Sequence, residues 1–147
     1  MVEAGQYGNT PLRVLLVDDE AGYVDVLRKR MTRRGIEACA ATSGRESIRI
    51  LRQREFDVAV LDLKMEDMDG IEVLKVFRMM APEMPVIILT GHGSEQDARD
   101  SLRHGAAVYL TKPCEMEELL EKIGAVLQER RSGTDRNAGD QAETHCK

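Results

Sequence analysis

The sequence contains no apolar run that approaches the roughly 18 consecutive residues a membrane-spanning helix requires. Residues 1–10 are polar and lack the apolar centre of a secretory signal peptide. We therefore expect a cytoplasmic protein that makes no contact with a membrane.

Cysteine is scarce, and positive charges are outnumbered by negative ones. Cys39, Cys114 and Cys146 are odd in number, far apart and outside any Cys-x-x-Cys pattern, so we expect reduced thiols with neither a disulfide framework nor a zinc site. The chain carries 21 Lys and Arg against 26 Asp and Glu, a formal net charge of −5. This balance argues against direct binding to nucleic acid.

The length and composition are those of a single globular domain. The 147 residues are 42% hydrophobic and 32% charged, and a chain of this length buries roughly two-thirds of its unfolded surface. We place the folded domain at residues 12–128. Residues 1–11 are expected to form a flexible polar lead, and residues 129–147, which lack apolar periodicity, a disordered polar tail.

Short apolar segments alternate along the chain with segments of helical periodicity. The predicted strands cover 13–17, 36–41, 56–61, 86–89 and 107–110. Three predicted helices cover 20–34, 70–80 and 94–104. A further helix is opened by a capping box from Ser43 to Glu46, and the last helix carries an apolar stripe from Met116 to Leu127. In the first helix, Tyr23, Leu27 and Met31 recur at four-residue steps.

This alternation indicates an α/β fold. The strand segments are too continuously apolar to be buried on one face only, so the sheet should be parallel and covered by helices on both sides. Because crossovers between parallel strands are right-handed, a doubly wound five-stranded sheet is the economical topology. The second strand is alanine-rich and is expected at an edge.

Five polar residues lie within two positions after the ends of predicted strands. They are Asp18 and Asp19 after the first strand, Asp62 after the third, Thr90 after the fourth and Lys112 after the fifth. In an open parallel sheet, ligands bind outside the carboxyl ends of the strands. Clustered carboxylates cannot all stay ionised without a cation, and Mg²⁺ suits such oxygen ligands. With the hydroxyl and the ammonium they would form a cradle for a phosphoryl group, in which one carboxylate could act as the nucleophile.

Taken singly, each of these residues has an ordinary structural explanation. An acid after a strand is more often a helix cap, as Asp19 or Glu20 could be. Thr90 could bond to nearby backbone, and Lys112 could be a solvated loop residue. It is the convergence of compatible groups at four strand ends that favours a functional site.

The constellation resembles the receiver domain of two-component response regulators over residues 13–127. The motifs that carry the resemblance are Leu16-Val-Asp-Asp-Glu20, Asp62-Leu-Lys-Met65, Met68-Asp-Gly-Ile71, Leu89-Thr-Gly-His-Gly93 and Tyr109-Leu-Thr-Lys-Pro113. The resemblance implies a flavodoxin-like (βα)5 fold with strand order 2-1-3-4-5. It also implies a cis peptide bond between Lys112 and Pro113.

The same resemblance implies the chemistry of the site. Asp62 would accept a phosphoryl group from a histidine kinase or a phosphotransfer protein in the presence of Mg²⁺. Asp19 and Asp62 would ligate the metal directly together with the backbone carbonyl of Lys64, and Asp18 would act through water. Lys112 would pair with the phosphoryl group.

Thr90 and Tyr109 match the switch pair of the family. Phosphate would draw in the Thr90 hydroxyl and vacate space for the Tyr109 ring, which would change the surface formed by the fourth helix, fifth strand and fifth helix. A static, half-buried Tyr109 is the alternative. The downstream protein partner is unknown, and the resemblance allows a phosphorylation-dependent homodimer.

The chain departs from the family pattern in two places and carries two candidate tuning residues. Glu66 stands where these domains usually have proline, which would make the loop less rigid, and Glu115 stands where a better N-cap is common. Lys64 and His92 lie two positions beyond Asp62 and Thr90, where side chains can gate attacking water. Our hypothesis is that they tune the lifetime of the phosphorylated form, with ordinary solvent exposure as the alternative.

We therefore expect a stand-alone response regulator whose only chemistry is self-phosphorylation and slow self-dephosphorylation, and which is not an enzyme. One rival is a Mg²⁺-dependent aspartyl-phosphate phosphohydrolase, although that chemistry usually has Asp-x-Asp after the first strand and here Asp18 and Asp19 are adjacent. Another is a receiver fragment of a longer transcriptional regulator.

Overall fold

The computed structural model describes residues 6–7, 10–91 and 93–136 of the chain, with side chains described for 10–91 and 93–130. Its centre is a five-stranded parallel sheet. We label the strands β1 (Arg13–Val17), β2 (Glu37–Ala41), β3 (Val58–Leu61), β4 (Val86–Thr90) and β5 (Val108–Thr111). Their order across the sheet is β2-β1-β3-β4-β5, which confirms the predicted fold class and the edge position of β2.

A helix follows each strand. The helices are α1 (Ala21–Arg33), α2 (Gly44–Gln53), α3 (Gly70–Met80), α4 (Glu95–Arg103) and α5 (Met116–Arg136). Side-chain caps mark the starts of α2 and α3. The Ser43 hydroxyl accepts the backbone N–H of Glu46, and the Asp69 carboxylate accepts that of Ile71.

The sheet is buried on both faces, as the continuous apolar strands predict. Along β1, Val14 and Leu16 join one core cluster with α1 and α5, whereas Leu15 and Val17 join a second cluster with α2 and α3. The carboxyl ends of all five strands therefore share one uncovered edge.

Within the described residues, regular structure is found on both sides of the predicted domain boundaries. Part of the lead expected at 1–11 is ordered, since Gln6–Tyr7 pairs antiparallel with Thr10–Pro11. Helix α5 continues through residue 136, into the tail expected to be disordered from 129, and residues 137–147 lie outside the described part. A helix already formed on a packed face extends at little cost even where its sequence is polar, because only its first turn is costly.

Within the described residues, no helix is both long enough and apolar enough to cross a membrane.

The start of α3 packs tightly on the loop that leaves β3. The Gly70 N–H donates to the carbonyl of Leu63 at 2.9 Å. A Cβ at Gly70 would lie 2.6 Å from that carbonyl oxygen and would also overlap the Leu63 backbone. This contact holds the end of β3, and with it Asp62, against the following helix.

Replacing Gly70 by alanine is therefore expected to lower the free energy of unfolding by about 1–3 kcal/mol, the usual cost of forcing extra atoms into a packed interior. The matched control is Gly124→Ala, where a Cβ would meet nothing within 4 Å. Because alanine is the better helix former, this control should raise the free energy of unfolding by about 0.5–1 kcal/mol. Urea unfolding measures both variants, and equal effects would contradict the close approach at Gly70.

Candidate functional site

The sheet register brings the predicted acids together. Val17 pairs with Leu61, so Asp18 and Asp62 leave neighbouring strands side by side. Asp18 and Asp62 are only 5% and 3% exposed. One carboxylate oxygen from each of Asp18, Asp19 and Asp62 lies within 4.8 Å of the others. The structure thus assembles the three acids at one point.

The donor set suits a hard divalent cation. Carboxylate oxygens are the ligands that Mg²⁺ prefers, and three at this spacing could contribute to its octahedral shell. Burial raises the pKa of Asp18, and hydrogen bonds from Lys112 and from the Glu20 N–H only partly oppose this effect. A bound cation would favour the ionised form of Asp18. The backbone of Lys64 lies beside the cluster, where its N–H donates to Asp62 Oδ1 at 3.3 Å.

The ammonium of Lys112 reaches this cluster from the end of β5. Its Nζ lies 2.7 Å from Asp18 Oδ2, 2.9 Å from Glu20 Oε1 and 3.6 Å from Asp62 Oδ2. Burial by itself would lower the pKa of Lys112, but the hydrogen bonds to Asp18 and Glu20 outweigh it and the pKa rises above its ordinary value. Lys112 is therefore a permanent cation beside Asp62.

Glu20 has a role that the sequence interpretation missed. It occupies the N-cap position of α1, yet its side chain makes no capping hydrogen bond and binds Lys112 instead. The signal available in the sequence was the run of three acids after one strand. The helix-cap explanation considered for Glu20 is therefore wrong for its side chain.

The loop after Asp62 is tied to its surroundings by backbone donors. The Glu66 N–H donates to Asp19 Oδ2 at 3.1 Å, a bond that proline at this position could not make. The Asp67 carboxylate accepts the N–H groups of Gly44 and Arg45 at 2.9 and 3.0 Å, at the start of α2. These hydrogen bonds hold the loop in place, although it lacks the proline that would make it more rigid.

Thr90 and Tyr109 lie next to each other beside the cluster. Thr90 is fully buried at the end of β4. A Cβ on Gly93 would lie 2.8 Å from Tyr109 Cζ and 2.9 Å from Thr90 Cγ2, and it would overlap the Tyr109 hydroxyl. The Tyr109 ring therefore occupies space that only glycine at position 93 leaves open. Burial raises the pKa of the Tyr109 hydroxyl.

The two candidate tuning residues differ in what the structure describes. Lys64 Nζ lies 3.5 Å from Asp97 Oδ2, an ion pair that joins the loop after β3 to the first turn of α4. Nothing in the sequence pattern singled out Asp97. His92 lies outside the described residues. The predicted cis peptide bond between Lys112 and Pro113 is confirmed.

At the carboxyl edge of an open parallel sheet, the structure places buried carboxylates beside a hydroxyl and an ammonium, a combination whose chemistry suits a phosphoryl group. Residues 14–124 match the family model described as response regulator receiver domain. The chain belongs to this family. Its members act in two-component signalling, and phosphorylation by kinases and Mg²⁺ binding at an acidic pocket are general features of receiver domains.

Known relatives agree with this assignment. The chain is 38% identical over 125 residues to transcriptional regulatory protein GlrR of Escherichia coli K12, a match covering 85% of this chain and 28% of GlrR. The curated relatives matched are thus longer proteins, of which the chain spans about a quarter to just over half.

Solved structures agree as well. A CheY-like receiver domain protein from Methanospirillum hungatei JF-1 superposes with a TM-score of 0.80 at 32% identity, covering 83% of this chain and 98% of that one. The beryllofluoride-activated NtrC4 receiver domain dimer gives a TM-score of 0.75 at 33% identity, covering 80% and 98%.

The two hydrogen bonds at Asp67 generate a stability prediction. The backbone N–H groups of Arg45 and Gly44 hold the pKa of this carboxyl below its ordinary value of 3.8. A lowered folded-state pKa gives stability that is present above 3.8 and is lost as the pH falls through the folded-state value. Asp67→Ala should therefore cost about 1 kcal/mol at pH 7, as for loss of a helix cap.

This cost should shrink as the pH falls from 3.8 through the lower folded-state pKa of Asp67, where the wild-type carboxyl becomes protonated. Urea unfolding at pH 7 and at about pH 3 measures it, with Glu66→Ala as the control because the backbone contact of residue 66 to Asp19 survives that change. A cost independent of pH would mean that the charge of Asp67 contributes nothing.

Proposed function

We propose that this receiver accepts a phosphoryl group on Asp62 from a histidine kinase or a phosphotransfer protein, in a Mg²⁺-dependent reaction. The observation that carries the proposal is the position of the Asp62 carboxylate. It is almost completely buried, it shares a cluster with Asp18 and Asp19, and it lies 3.6 Å from the Lys112 ammonium. A cytoplasmic location is consistent with membership of the response regulator family and forms part of the proposal.

The residues of the chain have distinct parts in this reaction. An Asp62 carboxylate oxygen attacks phosphorus, the phosphorus–nitrogen bond to the donor histidine breaks, and its electron pair returns to the imidazole ring. Asp19, Asp62 and the Lys64 carbonyl would hold a Mg²⁺ ion, with Asp18 acting through water, and the ion would supply positive charge for the phosphoryl oxygens. Lys112 supplies a second positive charge, and Thr90 a hydroxyl donor.

The proposed output is a change of protein-binding surface. In this proposal the Thr90 hydroxyl moves to the phosphoryl group and Tyr109 turns further into the space left behind. The surface formed by α4, β5 and α5 then changes, and it already exposes half of the Leu102 side chain. Its partner is a downstream protein or a second copy of the chain, since the activated NtrC4 receiver is a dimer.

We propose further that the chain is not an enzyme, and that its own chemistry is limited to slow self-dephosphorylation. The adjacent acids Asp18 and Asp19 are both committed to the cluster, and Lys112 holds Asp18 at 2.7 Å. The chain is proposed to act alone or as the receiver part of a longer regulator. Phosphoacceptance by Asp62 is the same in both cases.

Incubation with acetyl phosphate and Mg²⁺ tests the phosphoacceptor. Intact mass should rise by one phosphoryl group per chain in the wild type and stay unchanged in Asp62→Asn, because the nucleophilic oxygen is lost. The control is Asp57→Asn, which alters another buried aspartate that pairs with Arg13, away from the cluster. Labelling of Asp62→Asn would refute the proposal, and repeated turnover of a phosphate ester would favour the phosphohydrolase.

The lifetime of the phosphorylated form tests the tuning hypothesis. If Lys64 shields Asp62 from water, Lys64→Ala should speed dephosphorylation by up to about tenfold, which corresponds to roughly 1.4 kcal/mol in the barrier. The control is Lys75→Ala, which removes a lysine of similar exposure that pairs with Glu72 on α3. His92→Ala is measured alongside. Unchanged rates in both Lys64→Ala and His92→Ala would end the hypothesis.

A further inference from the structure

The ring of Tyr23 forms one wall of the Lys112 site. Lys112 Nζ lies 4.3 Å from the centroid of that ring. Tyr23 belongs to the first turn of α1, is half-buried and packs against the core cluster between the sheet and α1. The Lys112 side chain is 14% exposed. A cation over an aromatic face at this distance and burial is attracted by the electron density of the ring.

The other contacts of Lys112 are carboxylates that compete with one another. An ammonium has three N–H donors. Asp18 and Glu20 hold it at 2.7 and 2.9 Å, closer than the 3.6 Å to Asp62. With two donors on Asp18 and Glu20, one donor remains for a phosphoryl group on Asp62, and any second hydrogen bond to that group takes a donor from these partners. During that exchange, the contacts with Asp18 and Glu20 alone do not hold the Lys112 ammonium beside Asp62.

The ring face differs from these partners in one useful respect. It attracts the positive charge without taking up an N–H donor in a directed hydrogen bond to a lone pair. The attraction therefore persists while the donors move from a carboxylate to phosphoryl oxygens.

We propose that Tyr23 is a positioning residue, whose ring face holds the Lys112 ammonium beside Asp62 while its hydrogen bonds pass from Asp18 and Glu20 to the phosphoryl group. The proposal rests on the proposed function. It concerns the ring and not the hydroxyl, so phenylalanine should replace Tyr23 and an aliphatic residue should not.

The first test measures the rate of labelling by acetyl phosphate with Mg²⁺. Tyr23→Leu should slow labelling by roughly 3- to 20-fold, the range expected for loss of a partly desolvated cation–π contact. Tyr23→Phe should retain most of the wild-type rate. The control is Met31→Ala, which loosens the same helix at a fully buried core position about two turns beyond Tyr23 and should lower stability without slowing labelling. Equal rates in Tyr23→Phe and Tyr23→Leu, fast or slow, would overturn the proposal.

A double-mutant cycle separates positioning from packing. In a Lys112→Ala background, Tyr23→Leu should change the labelling rate by less than about twofold, because the group through which Tyr23 acts is gone. If Tyr23→Leu slows the Lys112→Ala protein as much as the wild type, Tyr23 acts by packing alone and the proposal fails. Tyr23→Met serves in place of Tyr23→Leu if the leucine variant does not fold.

A third measurement does not depend on phosphorylation. The wild type, Tyr23→Leu, Lys112→Ala and the double variant are unfolded in urea. If the ring and the ammonium interact, the two substitutions should have non-additive effects on the free energy of unfolding, and additive effects would overturn the contact itself. Failure of the wild type to be labelled would count against the proposed function and leave this cycle interpretable. A labelled wild type with additive stabilities would count against Tyr23 alone.

Discussion

The architecture of the site depends on burying like charges together, and the Lys112 ammonium makes this arrangement stable. The pairing of β1 with β3 sets Asp18 beside Asp62 below the surface, where two carboxylates repel each other and are poorly hydrated. Because β4 lies between β3 and β5, Lys112 has to extend across the end of β4. Its stem passes Gly91, where a Cβ would lie 3.6 Å from Lys112 Cδ. The long lysine side chain and the small residue together bring the cation to the acids.

The loop that carries Asp62 is held by hydrogen bonds as well as by the packing of Leu63 in the core. The Leu63 carbonyl accepts the N–H of Gly70, Asp19 accepts the N–H of Glu66, and Asp67 caps α2. These contacts link the loop to α3, to the acidic cluster and to α2 in turn. Glu66, which departs from the family pattern, therefore gives the cluster an additional hydrogen bond through its backbone. Rigidity lost with the proline ring is replaced by a bond to a carboxylate of the site.

The site residues that lie at strand ends could be predicted from the sequence, because the carboxyl ends of parallel strands all lie at the same edge of the sheet. Asp18, Asp62 and Lys112 are of this kind. Glu20 and Tyr23 were not predicted, since an acid before a helix and an aromatic on its apolar stripe have common structural explanations. Their contacts depend on how α1 is rotated against β5, and helical periodicity does not encode that rotation relative to a distant strand. The extension of α5 to residue 136 was missed for a related reason, because helix propagation depends on the preceding packed turns.

The same reasoning bears on the proposed switch. Tyr109 occupies a space bounded by Gly93 and Thr90, so the position of its ring is coupled sterically to both. Thr90 is buried at the strand end that adjoins Asp62, whereas Gly93 lies just before α4. Lys64 adds an ion pair from the loop after β3 to Asp97 in the first turn of that helix. Helix α4 is thus connected to Asp62 by a packing contact through Tyr109 and by a charge contact through Lys64. A phosphoryl group on Asp62 would act on both contacts at once, because it attracts the Thr90 hydroxyl and competes with Asp97 for the charge of Lys64.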